Sequence, residues 1–119
     1  MGLPAYSWSN ALAGGAHLHN LRMMAYGQLS HQCPGEPGLG TRITDDGIAW
    51  RAAGENIGWS DYPNAQQGVF MNHQSMMAEK PPDDGHRQNI LSTSFNLVGI
   101  DVLVDAHQNV WLTEDFAQA

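Results

Sequence analysis

Apolar residues along this chain follow three successive patterns. In SWSNALAGGAHLHNLRMMAYGQLSH, residues 7–31, Leu12, Ala16, Met23 and Tyr26 recur near the helical period, and so do Leu18, Leu21, Ala25 and Leu29. Two such stripes make a wide apolar face, which predicts one long, well-buried helix capped by Ser7 or Ser9. Gly14 and Gly15 weaken it by about 1 kcal/mol each against alanine. CPGEPGLGTRITDDG predicts a loop, with DDG as a turn. In AWRAAGENIGWS, Glu55 and Ile57 share one face of a strand, and Asn56 and Gly58 the other. DYPNAQQGVFMNHQSMMAEK predicts a second helix, started near Asp61 and Pro63 and stopped by Pro81 and Pro82. Its apolar side holds Val69, Phe70, His73, Met76 and Met77. DDGHRQNILS predicts a short third helix capped by Asp83 or Asp84. Beyond it, Val98, Ile100, Val102 and Val104 alternate with Leu97, Gly99, Asp101 and Leu103. A polar DAHQN turn and a return strand follow, with Val110, Leu112 and, at its frayed end, Phe116. Helices that cover a small hairpin-built sheet define an α+β domain.

Length and composition narrow the function. The 119 residues suit a single domain over 1–119. A formal net charge of −7 with five basic residues opposes binding to nucleic acid or to an anionic membrane surface. A single cysteine excludes an internal disulfide. No stretch has the length of a membrane span, and no basic-then-apolar leader is present.

The chemistry gathers in MMAEKPPDDGHRQNIL. Glu79 ends one helix, where its charge meets the negative end of the helix dipole. His86 opens the next, where the positive end keeps the imidazole neutral and fit to bind a metal or accept a proton. The short connection brings the two within reach of each other. Glu55 is a second anomaly: a carboxylate on the covered face of a strand needs a cation or a histidine N–H beside it. His31 closes the first helix, placed to project into a cleft.

GENIGW, GHRQNIL and LVGIDV…VWLTEDFA, in this order, resemble the CAP superfamily: cysteine-rich secretory proteins, antigen five venom allergens and plant pathogenesis-related proteins of class one. The short bacterial SCP-domain members are the nearest in pattern, and the resemblance covers nearly the whole chain. AHLHNLRMMAYGQLSH looks like the family's first helix with its Ser–His ending. The resemblance implies a three-layer α-β-α sandwich with a central antiparallel sheet, shortened at its N-terminus, and secretion to the cell exterior or envelope. It also implies a cleft of two His and two Glu, carried here by His31, Glu55, His86 and, with Met76 in place of the usual aromatic three residues earlier, Glu79.

Two His and two Glu suit Zn²⁺ or another divalent cation. A hydrogen-bonded cleft in which each Glu holds a His is the alternative. His17 and His19, two apart on a helix, face different ways and read as surface or packing residues. His73 reads as a buried or cleft-wall histidine, His107 as solvated, and Cys33 as a partly buried spectator. The expected function is an extracellular binding module for a cation and for a protein, peptide or lipid partner. A zinc-dependent peptidase or esterase, with Glu55 or Glu79 as general base, is a second expectation. Lipid or sterol binding by the Met-rich surface, which the family's eukaryotic members bring to mind, is a third.

Overall fold

The computed structural model describes residues 6–61, 64–80 and 85–119. Helix α1 (Asn10–Tyr26) starts where the Ser9 hydroxyl accepts a hydrogen bond from the Leu12 N–H. It stops at Gly27, whose φ of 81° a side chain would resist. It is shorter at both ends than its apolar pattern. Ser7 and Trp8 form a strand, β1 (Ser7–Trp8), and His31 lies beyond the helix in the following loop. Only one of the two predicted stripes is buried. Leu12, Gly15, Ala16, His19, Asn20 and Met23 face inward, while Leu18, Leu21, Ala25 and Leu29 are exposed, as is Tyr26 at the end of the first stripe. A helix lying on a sheet has one covered arc, and the second stripe falls outside it.

The Pro- and Gly-rich stretch contains a helix, α2 (Leu39–Asp45), in place of continuous loop. Its buried Arg42 and Ile43 hold it against the core, so tertiary contacts override weak local propensity. The expected DDG turn follows at Asp46 and Gly47 (φ 89°). Strand β2 (Ala52–Ser60) leads to α3 (Ala65–Met77), which Asn64 caps through the Gln67 N–H. Pro63, Pro81, Pro82, Asp83 and Asp84 lie outside the described residues. Then come α4 (Gly85–Leu91), β3 (Leu97–Val104) and β4 (Val110–Gln118).

The strand order is β1-β3-β4-β2. β4 runs antiparallel to both neighbours, but β1 runs parallel to β3, so the sheet is mixed where an antiparallel one was expected. The chain travels from β1 to β3 through four helices and β2, which is ample length for a parallel return. Phe116 is not frayed. It sits mid-strand, opposite Gly54 and Val98, 2% exposed and against Tyr6 and Phe95.

Helices cover both faces, giving the expected α-β-α layers. α1 and α2 lie over the face carrying Glu55, Ile57, Gly99, Thr113, Asp115 and Ala117. α3 and α4 lie over the face carrying Gly54, Asn56, Gly58 and Glu114. α1 rests directly on β3: a Cβ at Gly99 would strike the backbone of Leu12 and Ala13. Under α1 the core is divided. Leu12, Ile43 and Ala117 form one apolar cluster, and Met23, Cys33 and Trp111 another. Between them lies a buried polar layer of His19, Asn20, Glu36, Arg42, Glu55, Thr113 and Asp115.

A histidine and glutamate cleft at the edge of the sheet

A cleft of about 510 Å³ opens over β2 and is lined by His31, Glu55, Asn56, Glu79, His86 and Asn89 among others. All four residues expected from the sequence reach it, arranged as two His–Glu pairs. His31 Nδ1 lies 3.0 Å from Glu55 Oε1, and His86 Nδ1 lies 2.7 Å from Glu79 Oε2. They do not converge four donors on one point. Among the described residues, the set whose possible ligand atoms all lie within 4.8 Å of one another is His19, Cys33 and Glu36.

The first pair is built from the buried polar layer. Arg42 forks onto Glu55, donating to Oε2 at 2.9 Å and Oε1 at 3.1 Å. The same guanidinium donates at 2.8 Å to the backbone carbonyl of His31, so one side chain fixes both members. Burial works to raise the pKa of Glu55, but hydrogen bonds from His31, Asp115 and Arg42 win and hold it at about 2. Asp115 stands opposite Glu55 across the β2–β4 pairing. Burial, with Glu55 beside it, pushes that carboxyl up to about 10. It is therefore protonated at neutral pH and donates to Glu55, while its Oδ1 has no partner among the described residues. The two buried carboxyls carry one charge between them.

The second pair departs from the expectation of a disfavoured charge at Glu79. The residue lies past the end of α3 and serves α4 instead: Arg87 N–H donates to Glu79 Oε1 at 3.1 Å. Its slight desolvation is outweighed by that bond and by His86, so its carboxyl titrates below the usual range. α4 is seated on β2 by two asparagines. Asn56 Nδ2 donates to the His86 carbonyl and to buried Glu114. Asn89 Nδ2 donates to Asn56 Oδ1 and to the Glu55 carbonyl.

Sequence reasoning missed His19, Glu36, Arg42, Glu114 and Asp115. His19 is 1% exposed, with Nδ1 at 2.7 Å from Glu36 and Nε2 at 2.8 Å from the Ser30 carbonyl. A signal existed, because His19 completes the Leu12, Ala16, Met23 stripe. Of its two expected places, His73 takes the wall of a recess, shared with Val69, Phe70 and Val102; it is half exposed and lies 3.6 Å from Glu114. Cys33 is fully buried, and burial with Glu36 nearby raises its thiol. The His19, Cys33, Glu36 set fits a cation poorly. Both ring nitrogens and both carboxylate oxygens already have partners, the thiolate is disfavoured, and Arg22 and Arg42 approach Glu36 at 3.5 and 3.7 Å.

Two ionised carboxylates make their histidines donate from Nδ1. A neutral ring that donates from Nδ1 keeps a lone pair on Nε2. Among the described residues, neither Nε2 of His31 nor of His86 has a partner. Imidazoles oriented by carboxylates are the arrangement that presents Nε2 to a metal, and the donor types of His31 and His86 suit such an ion.

An α-β-α sandwich with paired His and Glu at the edge of its sheet defines a class of domain, and the comparisons agree. The chain belongs to the Cysteine-rich secretory protein family, CAP, whose profile matches residues 1–116. The chain matches no curated protein sequence. Among solved structures it is similar to an extracellular protein containing an SCP domain from Bacillus anthracis (TM-score 0.81, 25% identity), covering 98% of this chain and 35% of that one. An outer surface protein of Borrelia burgdorferi gives TM-score 0.81 at 11% identity, over 98% of this chain and 79% of that one. The venom allergen-like protein 4 of Schistosoma mansoni gives 0.59 at 14%, over 98% and 69%. This chain thus spans about a third of the length of the Bacillus protein. Among the described residues no helix is long and apolar enough to cross a membrane.

Proposed function

We propose that this domain is an extracellular binding module whose cleft takes a divalent cation, Zn²⁺ by preference, on the imidazole Nε2 atoms of His31 and His86. Glu55 and Glu79 hold the rings, and water or a partner's donor completes the ion's shell. The observation that carries this reading is that each Nδ1 is taken by an ionised carboxylate, which leaves both Nε2 atoms to a ligand. Imidazole donors favour zinc over calcium or magnesium, which seek oxygen. An extracellular setting is supported by the family and by the Bacillus and Borrelia neighbours.

The hydrolase alternative draws less support. A general base needs an oxygen free to take a proton and an affinity matched to neutral pH. Both oxygens of Glu55 and both of Glu79 are engaged, and Glu55 titrates near 2. The lipid alternative keeps only part of its methionine surface: Met23 and Met76 are core residues, while Met71 and Met77 line a surface recess.

Titration calorimetry of chelator-stripped protein with Zn²⁺ at neutral pH tests the proposal, beside a His31→Ala/His86→Ala variant. One tight site in the wild type, lost in the variant, is expected. Equal heats from both proteins would mean that the pairs serve only to seat α4 and the loop at residues 28–33.

A further inference from the structure

β2 ends the strand order, so one of its backbone edges meets no other strand. Hydrogen bonds identify the residues that own this edge. Ser7 and Ser9 N–H donate to the carbonyls of Asn96 and Val98, so even-numbered residues of β3 face β1 and odd-numbered ones face β4. Carried through the register, the alternation turns Gly54, Asn56, Gly58 and Ser60 toward β4. Ala53, Glu55, Ile57 and Trp59 therefore point N–H and C=O outward. Asn89 corroborates this by reaching the Glu55 carbonyl from outside. α4 thus closes the edge at Glu55. At Ile57 and Trp59, no described residue takes the outward groups.

Sheet edges are usually blunted by proline, lysine or a bulge. β2 has none of these in nine residues of unbroken register. Its open half lies between two recesses. Leu29 and Trp59, 46% and 41% exposed, line one of about 360 Å³ with Trp111. The His–Glu cleft is the other.

We infer that the Ile57–Trp59 edge takes an extended peptide as a fifth strand, with alternating apolar and basic side chains. Side chains on the Ile57 face of the sheet enter the recess of Leu29, Trp59 and Trp111. Those on the opposite face are basic and approach Glu79, on the α4 side. Charge selects this occupant. A domain of net charge −7 attracts a cationic strand and opposes a second copy of itself along the same edge. The inference does not require a metal in the cleft.

The probe is an acetylated, amidated hexapeptide of alternating lysine and valine, titrated in chelator-containing buffer and followed by amide NMR. Binding is expected to shift the Ile57 and Trp59 amides first. Two further peptides carry backbone N-methyl groups, on the valines in one and on the lysines in the other. Only one set of nitrogens faces β2, so one peptide binds about tenfold more weakly or worse, and the other within about twofold. Equal weakening of both peptides, shifts confined to other amides, or no binding would overturn the inference. So would a dimer in the free protein that vanishes on Trp59→Pro, since a second copy would then own the edge. Failure of zinc binding would leave this result untouched.

Discussion

At the scale of single residues, Glu55 and Asp115 make opposite predictions from adjacent places. Glu55→Gln removes the counter-charge of a buried guanidinium, and unfolding in urea should show a loss of about 3 kcal/mol or more. Asp115 is already neutral at pH 7, so Asp115→Asn should cost less than about 1 kcal/mol in the same assay. Comparable losses would refute the assignment of one charge to the pair. The pH dependence follows from the same groups. Glu55, depressed to about 2, contributes stability above its ordinary value near 4.5 and loses it as pH falls toward 2. Asp115 and Asp46 are raised, by burial above all, to about 10 and about 6. Their contribution is complete below pH 4 and is lost as pH rises through those values. Stability should therefore peak near pH 4 to 5 and decline toward pH 8. Asp115→Asn should flatten the decline above pH 6, and Asp46→Asn the part below it. A thermal melt series between pH 3 and pH 9 reads all three.

At the scale of elements, the tightest joint is α1 on β3. Gly99→Ala would force the helix backbone off the strand and should cost about 3 kcal/mol, read as a lower urea midpoint. Glu79→Ala should unsettle α4, because it removes the acceptor of the Arg87 N–H together with the partner of His86. Hydrogen exchange should quicken at Arg87 while β4 stays protected. These joints also show how much could be read beforehand. Apolar period, capping residues and prolines located α1, α3, α4 and the hairpin, although Phe70, His73 and Met77 of α3 are exposed, α4 buries no residue fully and β4 is buried on both faces. Period misplaced the burial of α1 because half of the inward positions are small or polar: Gly15, His19 and Asn20. α2 was invisible because Gly38 and Gly40 hide a helix that Arg42 and Ile43 hold by tertiary contact. The four cleft residues were legible from motifs and from charges set in apolar surroundings. Their supports were not, since Arg42, Asp115 and Asn89 approach from three elements and no local spacing announces them.

At the scale of the whole molecule, the cleft, the open edge and the polar layer belong to one system. Glu55 contributes its side chain to the layer, its Oε1 to His31 and its carbonyl to Asn89. A cation on His31 and His86 would tie the loop at residues 28–33 to α4 across β2, so zinc should raise the melting temperature of the wild type. By linkage, zinc at about a hundred times its dissociation constant would add about 2.7 kcal/mol. His31→Ala/His86→Ala should show no such rise. A rise in both proteins would place the ion elsewhere.

The central position of β4 has a consequence in time. It pairs along its full length with β2 on one side and β3 on the other, yet it is made after both. A nascent chain that ends before Val110 holds β2 and β3 with nothing between them. In such a chain only β1 can join β3, and the buried carboxyl of Asp115 has not yet been made to meet Glu55. β2 cannot enter the sheet until β4 stands between it and β3, so closure of the sheet waits on one strand.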